Sequence, residues 1–332
     1  MTRALQAVLH SIERWSLATL LALLSAGAMA QGAGAYPEKG VRVLVPFAPG
    51  GIADGTARGI AQHLSETWGR PFVVENRPSA ASILAFTTVA KASPDGYTLL
   101  LANTNIATNP SLYAKLDYDA DRDLVPVAFG LLTPGVLVVH PSVPAANYAE
   151  LVALARAQPG KVNFASVGIG SFPHLALEML KQMAGLDMVH VPYKGFAPAM
   201  TAVLANEVSL LALDIPAALP QVRAGKLRAL ASTGLRRSSA LPDLPSVAEL
   251  GLRDYEAVGW LGIMAPAGTP RDVVMKLNEE INRGVRRNDL FGRYTSTGAE
   301  IQPGTPEDFG AFIRRQGTAW GRVIRAGNVK AE

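Results

Sequence analysis

VRVLVPFAPGGIADGTAR, residues 41–58, is the stretch whose reading decides the fold. Val41–Val45 is a short apolar run, the pattern of a buried strand. Pro46, Pro49, Gly50 and Gly51 stop it and build a loop. Asp54 and Thr56 are helix-starting residue types, and Ala57–Leu64 continues with helical spacing. Strand, glycine loop and helix start together make one kind of place. Glycine lets backbone approach a ligand closely. The free N–H groups of a first helical turn, with the helix dipole, favour an anion there. Two readings stand at this point: an anion site, or an ordinary tight turn from strand to helix.

Outward from this stretch, residues 71–75 (PFVVE) read as a second strand and 76–82 (NRPSAAS) as a small-residue loop. Residues 83–91 read as a helix, and Tyr97–Ala102 as a third strand ending in the polar cluster Asn103, Thr104 and Asn105. Strand–helix alternation predicts a mostly parallel sheet, whose ligands sit at the carboxyl ends of the strands. The loops 47–54, 76–82 and 103–105 then share one rim. Residues 116–123 are polar and read as a connection, 136–140 as a strand and 148–158 as a helix.

A second strand–glycine–helix unit follows: a strand at 162–166, a loop at 167–171, and a helix from His174 to Ala184. The pattern then predicts a strand at 189–193, a loop at 194–198, a helix at 199–205, a strand at 210–213 ending at Asp214, a helix at 216–224 and strands at 227–232 and 258–265. Thr269–Pro270 is predicted to cap a helix at 271–287, and Thr305–Pro306 one at 307–325. The two glycine units lie in consecutive blocks, which predicts two similar lobes whose loops face each other across a cleft.

Residues 1–30 read as a secretory signal peptide. Arg3 and Arg14 are its basic region, Leu17–Leu24 its apolar core, and Ala28–Met29–Ala30 its cleavage site, so the mature chain is expected to start at Gln31 and to be exported. There is no cysteine in the chain, hence no disulfide and no thiolate. His63, His140, His174 and His190 lack metal-ligand spacing. The net charge is +4, with no Lys/Arg run longer than a pair, so no nucleic-acid partner is expected.

Catalytic signatures are weak. Gly168–Ile169–Gly170 has Pro173 where a dinucleotide fingerprint needs its third glycine. Neither Ser166 nor Ser171 has the glycine two residues earlier that a nucleophile elbow requires. Both fit as hydrogen-bonding groups at a helix start. His174 reads as a base or as a capping and packing residue. Asp214, ending an apolar strand, reads as a ligand contact or a helix cap. Lys194 is a candidate anion partner, and Phe47 and Tyr193 sit on rim loops.

With these residues assembled, the chain resembles the substrate-binding proteins of tripartite tricarboxylate transporters, the Bug receptors. The matching segments include Val45–Pro46–Phe47–Ala48–Pro49–Gly50–Gly51 with Asp54, Val74–Glu75–Asn76–Arg77–Pro78, Ser93–Pro94–Asp95–Gly96–Tyr97, His190–Val191–Pro192–Tyr193–Lys194–Gly195, Ala224–Gly225–Lys226–Leu227–Arg228 and Ala265–Pro266–Ala267–Gly268–Thr269–Pro270. They keep the family's order over essentially the whole mature chain.

The resemblance implies an α/β, two-lobed periplasmic-binding-protein (Venus flytrap) fold. Each lobe is a mostly parallel sheet flanked by helices, with the ligand cleft between the lobes. Lobe 1 is expected over 31–131 plus 259–332, and lobe 2 over 132–258. The function implied is that of a periplasmic receptor for a small carboxylate. It would be monomeric, without catalysis or cofactor, and would deliver to membrane permease subunits or a sensor protein. The alternative is an exported enzyme on the same scaffold, whose mark would be a coupled nucleophile and base. In the family the carboxylate is held by backbone amides, hydroxyl side chains and waters. Carried onto this chain, the expected contacts are Phe47, Pro49, Gly50, Gly51, Asp54, Ser79, Ser82, Asn103, Thr104 and Asn105 in lobe 1. Lobe 2 is expected to add Ser166, Gly168, Gly170, Ser171, His174, Tyr193, Lys194, Gly195 and Asp214. One departure stands out. Where the family has a glycine-rich run after Asn76–Arg77–Pro78, this chain has Ser79–Ala80–Ala81–Ser82, whose Cβ atoms are expected to reshape the pocket.

Overall fold

The structure is a computed structural model that describes residues 36–331; the signal-peptide expectation falls outside them. The chain divides after Glu38 into two units, and the second carries every strand and helix discussed below.

The apolar runs form the strands. β1 (Val41–Val45) pairs in parallel with β2 (Phe72–Asn76) and β3 (Thr98–Asn103). Helix α1 (Ile52–Trp68) joins β1 to β2, and α2 (Ile83–Ala90) joins β2 to β3. A second parallel group is β5 (Asn163–Ser166), β6 (Val189–Pro192) and β7 (Leu210–Asp214), with β5 paired to both of the others. The expected strand–helix units are therefore present at both ends of the sheet.

Antiparallel strands join them. β4 (Leu124–Val139) spans 16 residues, pairing with β9 (Val258–Pro266) along its first part and with β7 and β8 (Arg228–Ser232) along its second. The partner changes between Pro134, opposite Val258, and Gly135, opposite Asp214. β9 also pairs with β3, and a short β10 (Glu300–Ile301) edges β4. One half of the sheet thus runs β2-β1-β3-β9-β4-β10, the other β8-β4-β7-β5-β6, with β4 common to both.

The sequence pattern shows only the last part of β4, because Pro126, Gly130, Pro134 and Gly135 read as loop punctuation. In the sheet they lie around register shifts at 126–128 and 129–131 and at the change of partner, where ladder bonds are already interrupted. Gly135 has no room for a side chain: a Cβ there would lie 2.7 Å from Phe172 Cζ and 2.8 Å from Thr233 Oγ1. Its N–H donates to Thr233 Oγ1 (2.9 Å), which donates to the Ala257 carbonyl (2.6 Å), tying the crossovers together.

Helix α3 (Asn105–Leu112) follows β3, α4 (Tyr148–Ala157) follows β4, and α5 (Phe172–Ala184), α6 (Phe196–Leu204) and α7 (Ile215–Arg223) follow β5, β6 and β7. The C-terminal region adds α8 (Arg271–Gly284), α9 (Asn288–Thr295) and α10 (Pro306–Ala326). Two expectations are corrected here. Thr269 does not cap α8: its hydroxyl donates back to the Pro266 carbonyl (2.7 Å), and Pro270 is the N-cap with no side-chain bond. The helix expected to reach Arg287 ends at Gly284, and α9 is a separate helix. The Thr305 cap of α10 is present, reciprocated by Asp308. Trp260 of β9 packs against Phe129, Phe309 and Phe312, fixing α10 over the junction of β4 and β9.

Candidate functional site

The first glycine loop is closed by Asp54. The helix begins earlier than Asp54 and Thr56 suggest: Gly51 is the N-cap, and no side chain caps α1. Asp54 Oδ2 accepts from the Gly50 N–H (3.0 Å) and Arg58 Nε (3.0 Å), and Oδ1 accepts from Asn76 Nδ2 (2.9 Å). Asn76 Nδ2 also donates to the Phe47 carbonyl (3.0 Å). The Arg58 guanidinium, with these donors, holds the Asp54 carboxyl down to about 2, so it is ionised at neutral pH. Asp54 thus braces the loop from inside. Phe47, Pro49, Gly50 and Gly51 lie exposed on its outer side, and the first-turn amides keep no intrahelical acceptor.

The second loop of this half is locked to the third. Ala81 (φ 49°) and Ser82 (φ 64°) are in the left-handed region without being glycine. Ser82 Oγ accepts from Asn103 Nδ2 (2.9 Å) and Asn105 Nδ2 (3.2 Å), Asn103 Oδ1 accepts from the Asn105 N–H (2.7 Å), and Asn109 Nδ2 donates to the Ala81 carbonyl (2.9 Å). Ser79 Oγ accepts from the Leu84 N–H (3.1 Å), and Thr104 is the N-cap of α3. The polar cluster at the end of β3 is thus engaged in holding the strained turn.

In the other half, the loop 167–171 is built the same way. Gly168 (φ 133°) and Gly170 (φ 74°) take conformations L side chains rarely adopt. Ser166 and Ser171 both donate to the Gly168 carbonyl (3.1 and 2.6 Å), and His174 Nδ1 accepts from the Gly170 N–H (3.0 Å). Ser171 is the N-cap of α5, again without a side-chain cap bond. Beneath the loop, Ser166 Oγ meets His190 Nε2 at 2.6 Å, and the His190 ring stacks on His174 at 3.7 Å. Burial, then the neighbouring His190 and Lys181, pushes His174 down to about 3; burial and Lys181 push His190 down to about 4. Both rings are neutral at pH 7. Gly170 abuts the first half: a Cβ there would lie 2.7 Å from Leu112 Cδ1 of α3.

The remaining expected residues are looser. The Tyr193 N–H donates to the Ser166 carbonyl (3.0 Å), Gly195 (φ 101°) is the N-cap of α6, and Lys194 is exposed. Asp214 lies opposite Gly135 where the strands change partner. Burial pushes it up to about 6 against a hydrogen bond from Thr133. Sequence reasoning missed Asn76, Arg58, Thr133 and His190 as parts of these networks. Of these, Arg58 carries a local signal, four residues after Asp54 on one helix face. Among the described residues no group of three His, Cys, Asp or Glu side chains could hold a metal, and no helix is long and apolar enough to cross a membrane.

A family model described as "Tripartite tricarboxylate transporter family receptor" matches residues 56–329. The protein BugT of Bordetella pertussis is 35% identical over 297 residues, 89% of this chain and 91% of BugT. Among solved structures, an R. palustris protein with adipate is 33% identical with a TM-score of 0.77, covering 89% of this chain and 99% of its own. MatC from Rhodopseudomonas palustris, with bound malate, is 31% identical with a TM-score of 0.73, covering 87% and 100%.

Proposed function

This chain belongs to the tripartite tricarboxylate transporter receptor family, and we propose that it binds a small carboxylate between its two α/β halves without transforming it. The observation that carries this reading is the pair of glycine loops, each of which leads straight into a helix, α1 and α5, whose first-turn amides no side chain caps. Uncapped first-turn amides beside flexible backbone suit a carboxylate. Adipate and malate in the similar structures support that ligand class. The proposed site uses the loops Phe47–Gly51, Ser79–Ser82 and Asn103–Asn105 in one half. The other half adds Gly168–Ser171, Tyr193–Gly195 and Asp214. We place the lobes at 31–131 plus 259–332 and at 132–258, the change of partner in β4 supporting a boundary there. The chain works as an exported, periplasmic monomer delivering to membrane permease subunits.

The test is thermal unfolding of residues 31–332, refolded to strip bound ligand, against mono-, di- and tricarboxylates, amino acids and aromatic acids. A ligand at a hundredfold excess over Kd stabilises by about 2.7 kcal/mol. A saturable rise in melting temperature with one acid class supports the reading; no rise with any carboxylate rejects it.

A further inference from the structure

Helix α9 places two polar side chains at the start of α1. Phe291 packs where a Cβ on Gly59 would be (3.2 Å from its Cζ), and the Tyr294 hydroxyl fills the place of a Cβ on Gly55, with Arg293 Nη2 2.7 Å from that point. Gly55 lies in the first turn of α1. Just beyond α9, Gly298 (φ +101°) rests on the other half: a Cβ there would lie 3.0 Å from Ile215 Cγ2 and 3.0 Å from Ser238 Oγ. Ile215 follows Asp214. The α9 segment therefore runs from the first turn of α1, which follows the first glycine loop, to Ile215, the residue after Asp214.

The charges around that turn are uneven. Asp54 puts a full negative charge into it, opposing an incoming anion, and Arg58 is already hydrogen-bonded to Asp54. Arg293 is exposed. Its guanidinium donates to the Tyr294 hydroxyl and lies over that ring, 4.6 Å from the centroid, and among the described residues it has no carboxylate partner. Thr56, the next residue along α1, is fully buried with its hydroxyl unpartnered among the described residues.

We propose that Arg293, oriented by Tyr294, supplies the cation that holds one carboxylate of the ligand at the start of α1 and selects charged acids over their neutral analogues. The proposal rests on the receptor reading above. A guanidinium suits this task because its fork donates two bonds to a planar carboxylate.

The test uses the tightest-binding acid among adipate, malate and the rest of the carboxylate panel, together with its amide analogue, titrated calorimetrically into wild type, R293A, R293K and Y294F. The expected result is about a tenfold or greater loss of acid affinity in R293A with amide binding unchanged. R293K should recover part of the loss, and the unliganded melting temperatures should match. If R293A binds the acid within twofold of wild type, or loses acid and amide equally, Arg293 has no such role and the receptor reading stands. Should R293A fail to fold, R293Q is read by the same criteria. A wild-type protein that binds no carboxylate removes the receptor reading and this proposal together.

Discussion

Ser166 Oγ and His190 Nε2 lie 2.6 Å apart beneath the second glycine loop, with the His190 ring stacked on His174 (3.7 Å) and against Phe164 (5.1 Å). A coupled hydroxyl and imidazole is the mark an exported enzyme would carry, so this pair is where the two functional readings can be tested against each other. Ser166 is fully buried and its hydroxyl also donates to the Gly168 carbonyl. The imidazole packs against the rings of both His174 and Phe164. This geometry braces a loop rather than presenting a nucleophile, whose oxygen must be reachable. A fluorophosphonate probe is expected to leave Ser166 unlabelled. Stoichiometric labelling at that residue, lost in H190Q, would restore the enzyme reading.

The same pair gives a pH dependence of definite sign. His174 and His190 have folded pKa values of about 3 and about 4, below the ordinary value of 6.5. As pH falls through 6.5 the unfolded chain takes up protons that the folded chain refuses, so stability declines toward pH 4. Asp214 acts oppositely. Its folded value of about 6 lies above 3.8, so between those values the folded state holds the extra proton and gains stability as pH falls. Glu256, whose carboxyl burial also raises, acts with Asp214 but from a higher ordinary value; the histidines titrate first as pH falls from 7, so the melting temperature is expected to drop between pH 7 and pH 4.5, with a shallower slope in H190Q. Equal slopes for the two proteins would remove the histidines as the cause.

Ala81 is held at φ 49°, where a Cβ costs roughly 1 kcal/mol relative to glycine. A81G is expected to stabilise the protein by about that amount in urea unfolding. S82G relieves similar strain but deletes the hydroxyl that Asn103 and Asn105 share, and it is expected to give no net gain. A stabilising S82G would show that those bonds contribute little.

D54A removes an acceptor of three donors and leaves the Gly50 amide and Asn76 without it. The expected loss is about 1–3 kcal/mol at pH 7, with weaker ligand binding as the loop loosens. Because the folded pKa is about 2 against 3.8, the Asp54 contribution is present above 3.8 and fades as pH falls through 2. Chemical denaturation at pH 7 and pH 2.5 checks both points; a gap between wild type and D54A that does not narrow at the lower pH contradicts the assignment.

Helix α9 shows where local reading stops. RRNDLFGRYTSTG, residues 286–298, is broken by Gly292 and Gly298, and the sequence pattern assigns no element there after Arg287. Its position depends on Gly55 and Gly59, more than 230 positions earlier by number, whose missing side chains admit Tyr294 and Phe291. The sequence pattern assigns no element to α3 beyond the polar cluster at its start, because Pro110 sits inside it and packing rather than propensity makes it a helix.

By itself, the sequence determined the local elements: the apolar runs that became strands, the two glycine loops, the helices after them and the Thr305 cap. These follow from residues a few positions apart, through side-chain periodicity and backbone freedom. The family resemblance was legible for the same reason, as short motifs in a constant order. Tertiary structure alone decided that β4 serves both halves, that Asp54 turns inward, that Ser166 meets His190 and that Arg293 reaches the start of α1. Each of those depends on groups brought together by strand pairing and helix packing across long stretches of chain. No local preference encodes such contacts; the burial of apolar surface on both sides of the sheet selects them.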